Sequence, residues 1–181
     1  MFYKPLHFQQ CLQITNKLQN LFAELNSTAF KGFNQPYSTI QEECPELDEQ
    51  FRAYGLTVTG SWLFQTMPAS EWQDSGTIHI DLDRHEKPNL VLNWPIFNCE
   101  RTYMNFWRIK NDEIGSPAFT PIFQQDYQVF RREDCELVDR LELTSPHLLD
   151  AGTPHNVSTE VEAYRLIMSF RFQENPLHLW G

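Results

Sequence analysis

The chain has 181 residues, 41% hydrophobic and 14% aromatic, with 24 acidic against 14 basic side chains and a net charge of −10. Such a composition predicts one globular domain with a single buried core and excludes a disordered chain. No basic cluster exceeds Arg131 and Arg132, so a face that binds a phosphate backbone is excluded and no nucleic-acid partner is expected.

In chain order, residues 8–25 predict a helix, since Leu12, Leu18, Leu21, Phe22 and Leu25 recur near helical spacing between polar residues. Residues 31–36 read as loop. Residues 44–54 predict a second helix, with Pro45 at its first position, acids in its first turn and Gly55 just past its end. After Gly55 the pattern turns to strands, at 56–60 and 61–66, then a polar loop over 67–76. A further strand carries Thr77, Ile78, His79 and Ile80, β-branched or apolar apart from the imidazole. Residues 83–88 read as a charged turn. Residues 89–96 and 102–108 predict strands joined by a short loop. Residues 119–130 read as aromatic and irregular, and 131–143 as strand with some loop. Gly152 and Pro154 mark a turn that delivers His155 onto a strand. The last strand spans 163–172. Tyr164, Leu166, Met168, Phe170 and Phe172 make one apolar face of it, and Arg165, Ile167, Ser169 and Arg171 the other. Helices followed by many strands predict an antiparallel β-sandwich with helices on one outer face. The apolar face of the last strand packs on those helices, and its Arg-bearing face looks inward.

Four scattered cysteines, Cys11, Cys44, Cys99 and Cys135, form no C-x-x-C pair, and no segment has the apolar length of a membrane span or a signal peptide. The expectation is a soluble cytoplasmic protein with reduced thiols and no membrane partner.

The residues that carry chemistry begin at His79 and Asp81. Side chains two apart on a strand share a face, so this imidazole and carboxylate project together as two ligands of a divalent metal. A third ligand, another His, completes a 2-His-1-carboxylate triad that leaves one side of the ion open. His155 and His147 are both available. His85 with Asp81 and Asp83 makes a second cluster, but its loop lacks the glycine and terminal Glu of an EF-hand. Trp62, Trp72, Trp94 and Trp107 are core or pocket residues, and the loops 67–76 and 109–128 are candidate lids.

The order His79, Ile80, Asp81, then Pro154, His155, Asn156, Val157, then Arg165 ten residues after His155, resembles the 2-oxoglutarate/Fe(II)-dependent oxygenases. Residues 165–170 resemble the corresponding strand of the prolyl and aspartyl hydroxylase branches, and 90–107 is similar to small bacterial and phage members. The resemblance spans residues 56–172. It implies a mainly β (α+β) fold, a double-stranded β-helix (jelly-roll, cupin-like) with amino-terminal helices packed on the larger sheet. The whole chain, 1–181, would be one domain, with 1–55 a helical buttress and 56–175 the β core. It implies His79, Asp81 and His155 as catalytic ligands of Fe(II). Arg165 would bind the far carboxylate of 2-oxoglutarate, with Arg171 as the alternative clamp and Ser169, Tyr103 and Asn93 as further cosubstrate contacts. The implied reaction is hydroxylation of a small molecule or a protein side chain. A metal- or ligand-binding cupin-like protein without this turnover, and an acidic β-sandwich interaction protein without metal, are the competing expectations.

Overall fold

The computed structural model describes the chain except residues 28, 30–31, 72–76, 83–87, 112 and 121–124. Two antiparallel sheets of six strands each make up most of it. The first sheet contains β1 (Tyr3–Pro5), β2 (Gly32–Asn34), β3 (Val58–Thr66), β5 (Leu90–Phe97), β10 (His147–Asp150) and β12 (Arg165–Phe172), in the order β1-β10-β5-β12-β3-β2. The second contains β4 (Ile78–Asp81), β6 (Thr102–Ile109), β7 (Ser116–Thr120), β8 (Gln125–Phe130), β9 (Cys135–Glu142) and β11 (His155–Thr159), in the order β7-β8-β4-β11-β6-β9. The helices are α1 (Cys11–Leu21), α2 (Tyr37–Glu43), α3 (Pro45–Ala53) and a short α4 (Leu177–Trp180).

The largest core lies outside the first sheet. Leu166, Met168, Phe170 and Phe172 of β12 pack there with Ile14 and Leu18 of α1, Ile40 of α2 and Leu47 and Phe51 of α3. The Phe51 ring meets those of Phe170 and Phe172 edge-on, with centroids 5.0 and 5.3 Å away. Each such side chain contributes about 1.5–3 kcal/mol through burial, which clamps β12 in place. A second core lies between the sheets, with Val91, Met104, Phe106, Leu141, Leu149 and Ile167 among its members. β12 is therefore buried on both faces along its whole length, and its inner face carries Arg165, Ile167, Ser169 and Arg171.

Several local expectations need revision. The first helix is shorter than 8–25 and continues as a 3₁₀ turn over Ala23–Asn26. Its buried stripe uses Ile14 and Leu18, while Leu12 is 74% exposed. The strands expected over 56–60 and 61–66 are one continuous strand, β3, which begins only at Val58. The stretch read as irregular, 119–130, holds the end of β7 and all of β8, which pair with each other. The amino-terminal buttress is not purely helical. β1 and β2 extend both edges of the first sheet, and α2 precedes the second expected helix. Pro95 sits in β5 opposite Ile167, beside a shift in register, a position that tolerates the missing N–H.

Candidate metal centre

β4 and β11 are neighbours, and His79 and His155 are partners across them. Partners across an antiparallel pair project to the same face, so the two imidazoles meet, with ring centroids 4.4 Å apart. Asp81, two residues along β4, joins them. Its Oδ1 is 3.5 Å from His79 Nε2, and one ligand atom from each of the three residues lies within 4.8 Å of the others. Metal–ligand bonds of about 2.0–2.2 Å require only modest closure from there. His79, Asp81 and His155 could hold a metal ion.

Both imidazoles are prepared for that role in the same way. His79 Nδ1 is 2.8 Å from Thr77 O, and His155 Nδ1 is 2.8 Å from Thr153 O. A carbonyl only accepts, so each Nδ1 carries the proton and each Nε2 lone pair is free for a metal. Burial pushes the His155 pKa down to about 4, and the neighbouring His79 imidazole adds to this. Burial works to raise the Asp81 pKa, but His155, His79, Arg171 and the Gln125 amide outweigh it and hold Asp81 below the usual carboxylate range. At neutral pH the pair is therefore a neutral imidazole and a carboxylate, the forms that bind metal.

Arg171 completes the surroundings of Asp81. Its Nη2 donates to Asp81 Oδ2 at 3.0 Å and its Nη1 to Ser169 Oγ at 2.7 Å. This occupies the carboxylate oxygen that faces away from His79 and leaves Oδ1 turned toward it. On the other side of His79, the Tyr127 ring stands edge-on at 5.2 Å.

The three residues open into a cavity of about 420 Å³ between the sheets, lined also by Asn93, Phe106, Gln125, Arg165, Ser169 and Arg171. Arg165 is 1% exposed. Its Nη1 reaches Thr66 Oγ1 at 3.5 Å, while Nε and Nη2 have no hydrogen-bond partner. Burial lowers its pKa, with a nearby Cys99 opposing the shift. Burial in turn pushes the Cys99 thiol up, so Cys99 stays neutral and gives Arg165 no counter-charge.

The remaining expected residues divide. Ser169 and Asn93 are opposite each other on β12 and β5 and both line the cavity, and Asn93 Oδ1 is buried without a partner. Tyr103 is not in the cavity. It lies on the opposite face of the second sheet, under the Arg140 guanidinium at 3.6 Å, because Met104 and Phe106 hold the inward positions of β6. His147 stands outside the triad, its Nδ1 donating to Ser145 O at 2.7 Å and its ring against Tyr3. Trp94 is buried under the helices with its indole N–H on Thr15, and Trp107 donates to Asn156. Trp72 and His85, and parts of both expected lids, lie outside the described residues. Two contributors were not foreseen, Gln125 and Tyr127 of β8, because no strand was expected there. A third, Asp150, could have been recognised from the Asp-x-Gly spacing with Gly152, which favours a side-chain-closed turn.

Neither a protein-family model nor a curated protein matches the chain in sequence. Among the described residues no helix is long and apolar enough to cross a membrane.

Proposed function

We propose that this chain is an Fe(II)- and 2-oxoglutarate-dependent oxygenase that hydroxylates a small molecule or a protein side chain. The observation that carries this reading is one cavity holding both a His-Asp-His group and a buried guanidinium, Arg165, with two unpartnered nitrogens. A buried charge without a partner is costly, and an anion that enters the cavity removes the cost. The fold reading that accompanies it is a jelly-roll, double-stranded β-helix forming one oxygenase-like domain over 1–181. The central strand orders β10-β5-β12-β3 and β4-β11-β6-β9 support it.

His79, Asp81 and His155 would hold Fe(II), whose open positions supply oxidative decarboxylation of 2-oxoglutarate coupled to hydroxyl insertion. Arg165 suits the far carboxylate, since a guanidinium offers two parallel charge-assisted bonds. Arg171 is committed to Asp81 and holds the metal carboxylate in position. Asn93 and Ser169 offer polar contacts along the same wall. Apart from Asp81, Asp150, the two arginines and the two histidines, the described residues lining the cavity have no ionisable group but the Tyr127 phenol, which suits an uncharged reacting group.

The test is succinate release from 2-oxoglutarate with Fe(II) and dioxygen. Wild type should release succinate slowly even without its substrate, and His79→Ala, Asp81→Ala and His155→Ala should abolish release while keeping the wild-type circular dichroism spectrum. Folded wild-type protein that binds no Fe(II), or a His79→Ala variant with unchanged succinate release, would refute the proposal.

A further inference from the structure

The three ligands come from two strands, and one turn joins them. It runs from Asp150 at the end of β10 to Thr153, closed by Thr153 N–H donating to Asp150 O at 3.2 Å. The turn reaches both arms of the metal group. Its Ala151 O accepts from the backbone N–H of Asp81 at 2.9 Å, and its Thr153 O accepts from the His155 ring at 2.8 Å. Asn89 adds a third link, since its Nδ2 donates to Asp81 O at 3.3 Å and its O accepts from Ala151 N–H at 2.8 Å.

The Asp150 carboxylate sits at the hub of these links. Oδ1 accepts from Asn89 N–H at 2.9 Å and from Gly152 N–H at 3.0 Å, and Oδ2 accepts from Thr153 Oγ1 at 3.1 Å. There is no slack around it. A Cβ on Gly152 would lie 3.1 Å from Asp150 Oδ1 and 3.2 Å from Asn89 Cβ. The Asp150 N–H donates to Phe2 O at 3.0 Å, which ties the hub to the residue just before β1.

From this arrangement we infer that Asp150 is the positioning residue of the metal centre. It touches no ligand atom, yet it holds the turn whose carbonyls orient the His155 ring and the Asp81 backbone. Removing its carboxylate frees the Asn89 and Gly152 N–H groups and the Thr153 hydroxyl and loosens the turn, so the His155 ring and the Asp81 backbone are held less firmly in the geometry that brings three donors together. Outer partners of this kind are worth roughly 10–100-fold in metal affinity. The inference rests on the metal-site reading above, though not on oxygenase turnover.

The experiment is a Mn(II) titration followed by the electron paramagnetic resonance of the free ion, on wild type, Asp150→Ala and Asp150→Asn. Thermal unfolding of each metal-free protein is recorded alongside. Asp150→Ala should weaken Mn(II) binding roughly 10–100-fold at a temperature where the protein is fully folded. Asp150→Asn should restore affinity to within about threefold, since it keeps the Oδ1 acceptor and its amide can donate to Thr153 Oγ1. With Co(II), the visible spectrum of Asp150→Ala should differ from wild type in band shape, reporting altered ligand geometry. Should Asp150→Ala fail to fold, Thr153→Val, which removes only the Oδ2 contact, takes its place and should show a smaller loss. Wild-type affinity in a folded variant with a lowered melting temperature would mean a purely structural role and overturn the inference. So would an Asp150→Asn protein as weak as Asp150→Ala. Wild type that binds no Mn(II) would overturn the metal site as well, which separates the two failures.

Discussion

Arg165 and Arg171 lie on one face of one strand, six residues apart, and both are buried, at 1% and 6% exposure. Their surroundings are opposite. Arg171 spends its guanidinium on Asp81 and Ser169, whereas Arg165 meets the distant Thr66 hydroxyl and the neutral Cys99 thiol and leaves Nε and Nη2 without partners. A buried ion pair that satisfies its own hydrogen bonds is a structural device, while a buried cation without a counter-charge is costly to the fold. Two residues that look equivalent as carboxylate clamps in the sequence are thereby given different work. Arg171 secures the carboxylate of the His-Asp-His group, and Arg165 is the cation that the proposed function assigns to an anion.

Breaking the Arg171 end should have the largest effect. Arg171→Ala leaves Asp81 charged and buried without its guanidinium, at a cost of about 3–5 kcal/mol in the metal-free protein. The measurement is the urea midpoint with and without Mn(II). The loss should shrink when the metal is bound, because the ion supplies the missing positive charge. An equal loss in both states would place the role of Arg171 in packing, against Trp62, whose ring lies 5.1 Å from the guanidinium.

Acid should separate the two ends next. His155 has a folded pKa of about 4 against an ordinary value of about 6.5, so the unfolded chain takes the proton first as pH falls. Stability from this group is complete above about pH 6.5 and lost as pH drops toward 4, about 3 kcal/mol in all for the metal-free protein. Burial also lowers the His147 pKa, which adds loss in the same direction. The lowered pKa of Asp81 extends it to lower pH, since that stability disappears as the carboxylate protonates. His155→Gln should flatten the slope between pH 6.5 and 4 by most of its size. An Arg165→Met variant should keep the wild-type slope.

The proposed role of Arg165 is tested by that same variant. Arg165→Met removes an unpaired buried charge, so metal-free stability should hold or rise, the reverse of Arg171→Ala. Affinity for 2-oxoglutarate, read by its upward shift of the melting temperature in the presence of Mn(II), should fall by about 2 kcal/mol, roughly 30-fold. A variant that loses stability and keeps 2-oxoglutarate binding would exchange the roles of the two arginines.

How much of this was legible depended on period. The two faces of β12 are plain in the sequence because one is uniformly apolar, and His79 with Asp81 is plain because a spacing of two on a strand always shares a face. The turn at Gly152 and Pro154 pointed to His155. The Arg171–Asp81 pair was not visible, since it joins residues 90 apart in the chain and depends on how the sheets stack. β1 and β2, three residues each, are strands only by virtue of their partners. β8 was missed because Gln125, Asp126, Tyr127, Gln128 and Val129 show no apolar alternation. Its inner face, Gln125, Tyr127 and Val129, lines the cavity rather than the packed core.

β6 shows the opposite failure, and it supports the smallest prediction. Both of its faces carry large rings, Tyr103 and Trp107 on one and Phe106 with Met104 on the other, so alternation could not say which face looks inward. The interior core and the register against β11, which sets Phe106 opposite His155, put Tyr103 outside. Tyr103→Phe should therefore leave Mn(II) and 2-oxoglutarate affinity unchanged. Its stability should change by less than about 0.5 kcal/mol, since the ring that carries Arg140 is retained and the site is on the surface. A Tyr103→Phe protein that lost 2-oxoglutarate affinity would mean that β6 presents its other face to the cavity. The metal-facing position of Phe106 would then be lost with it.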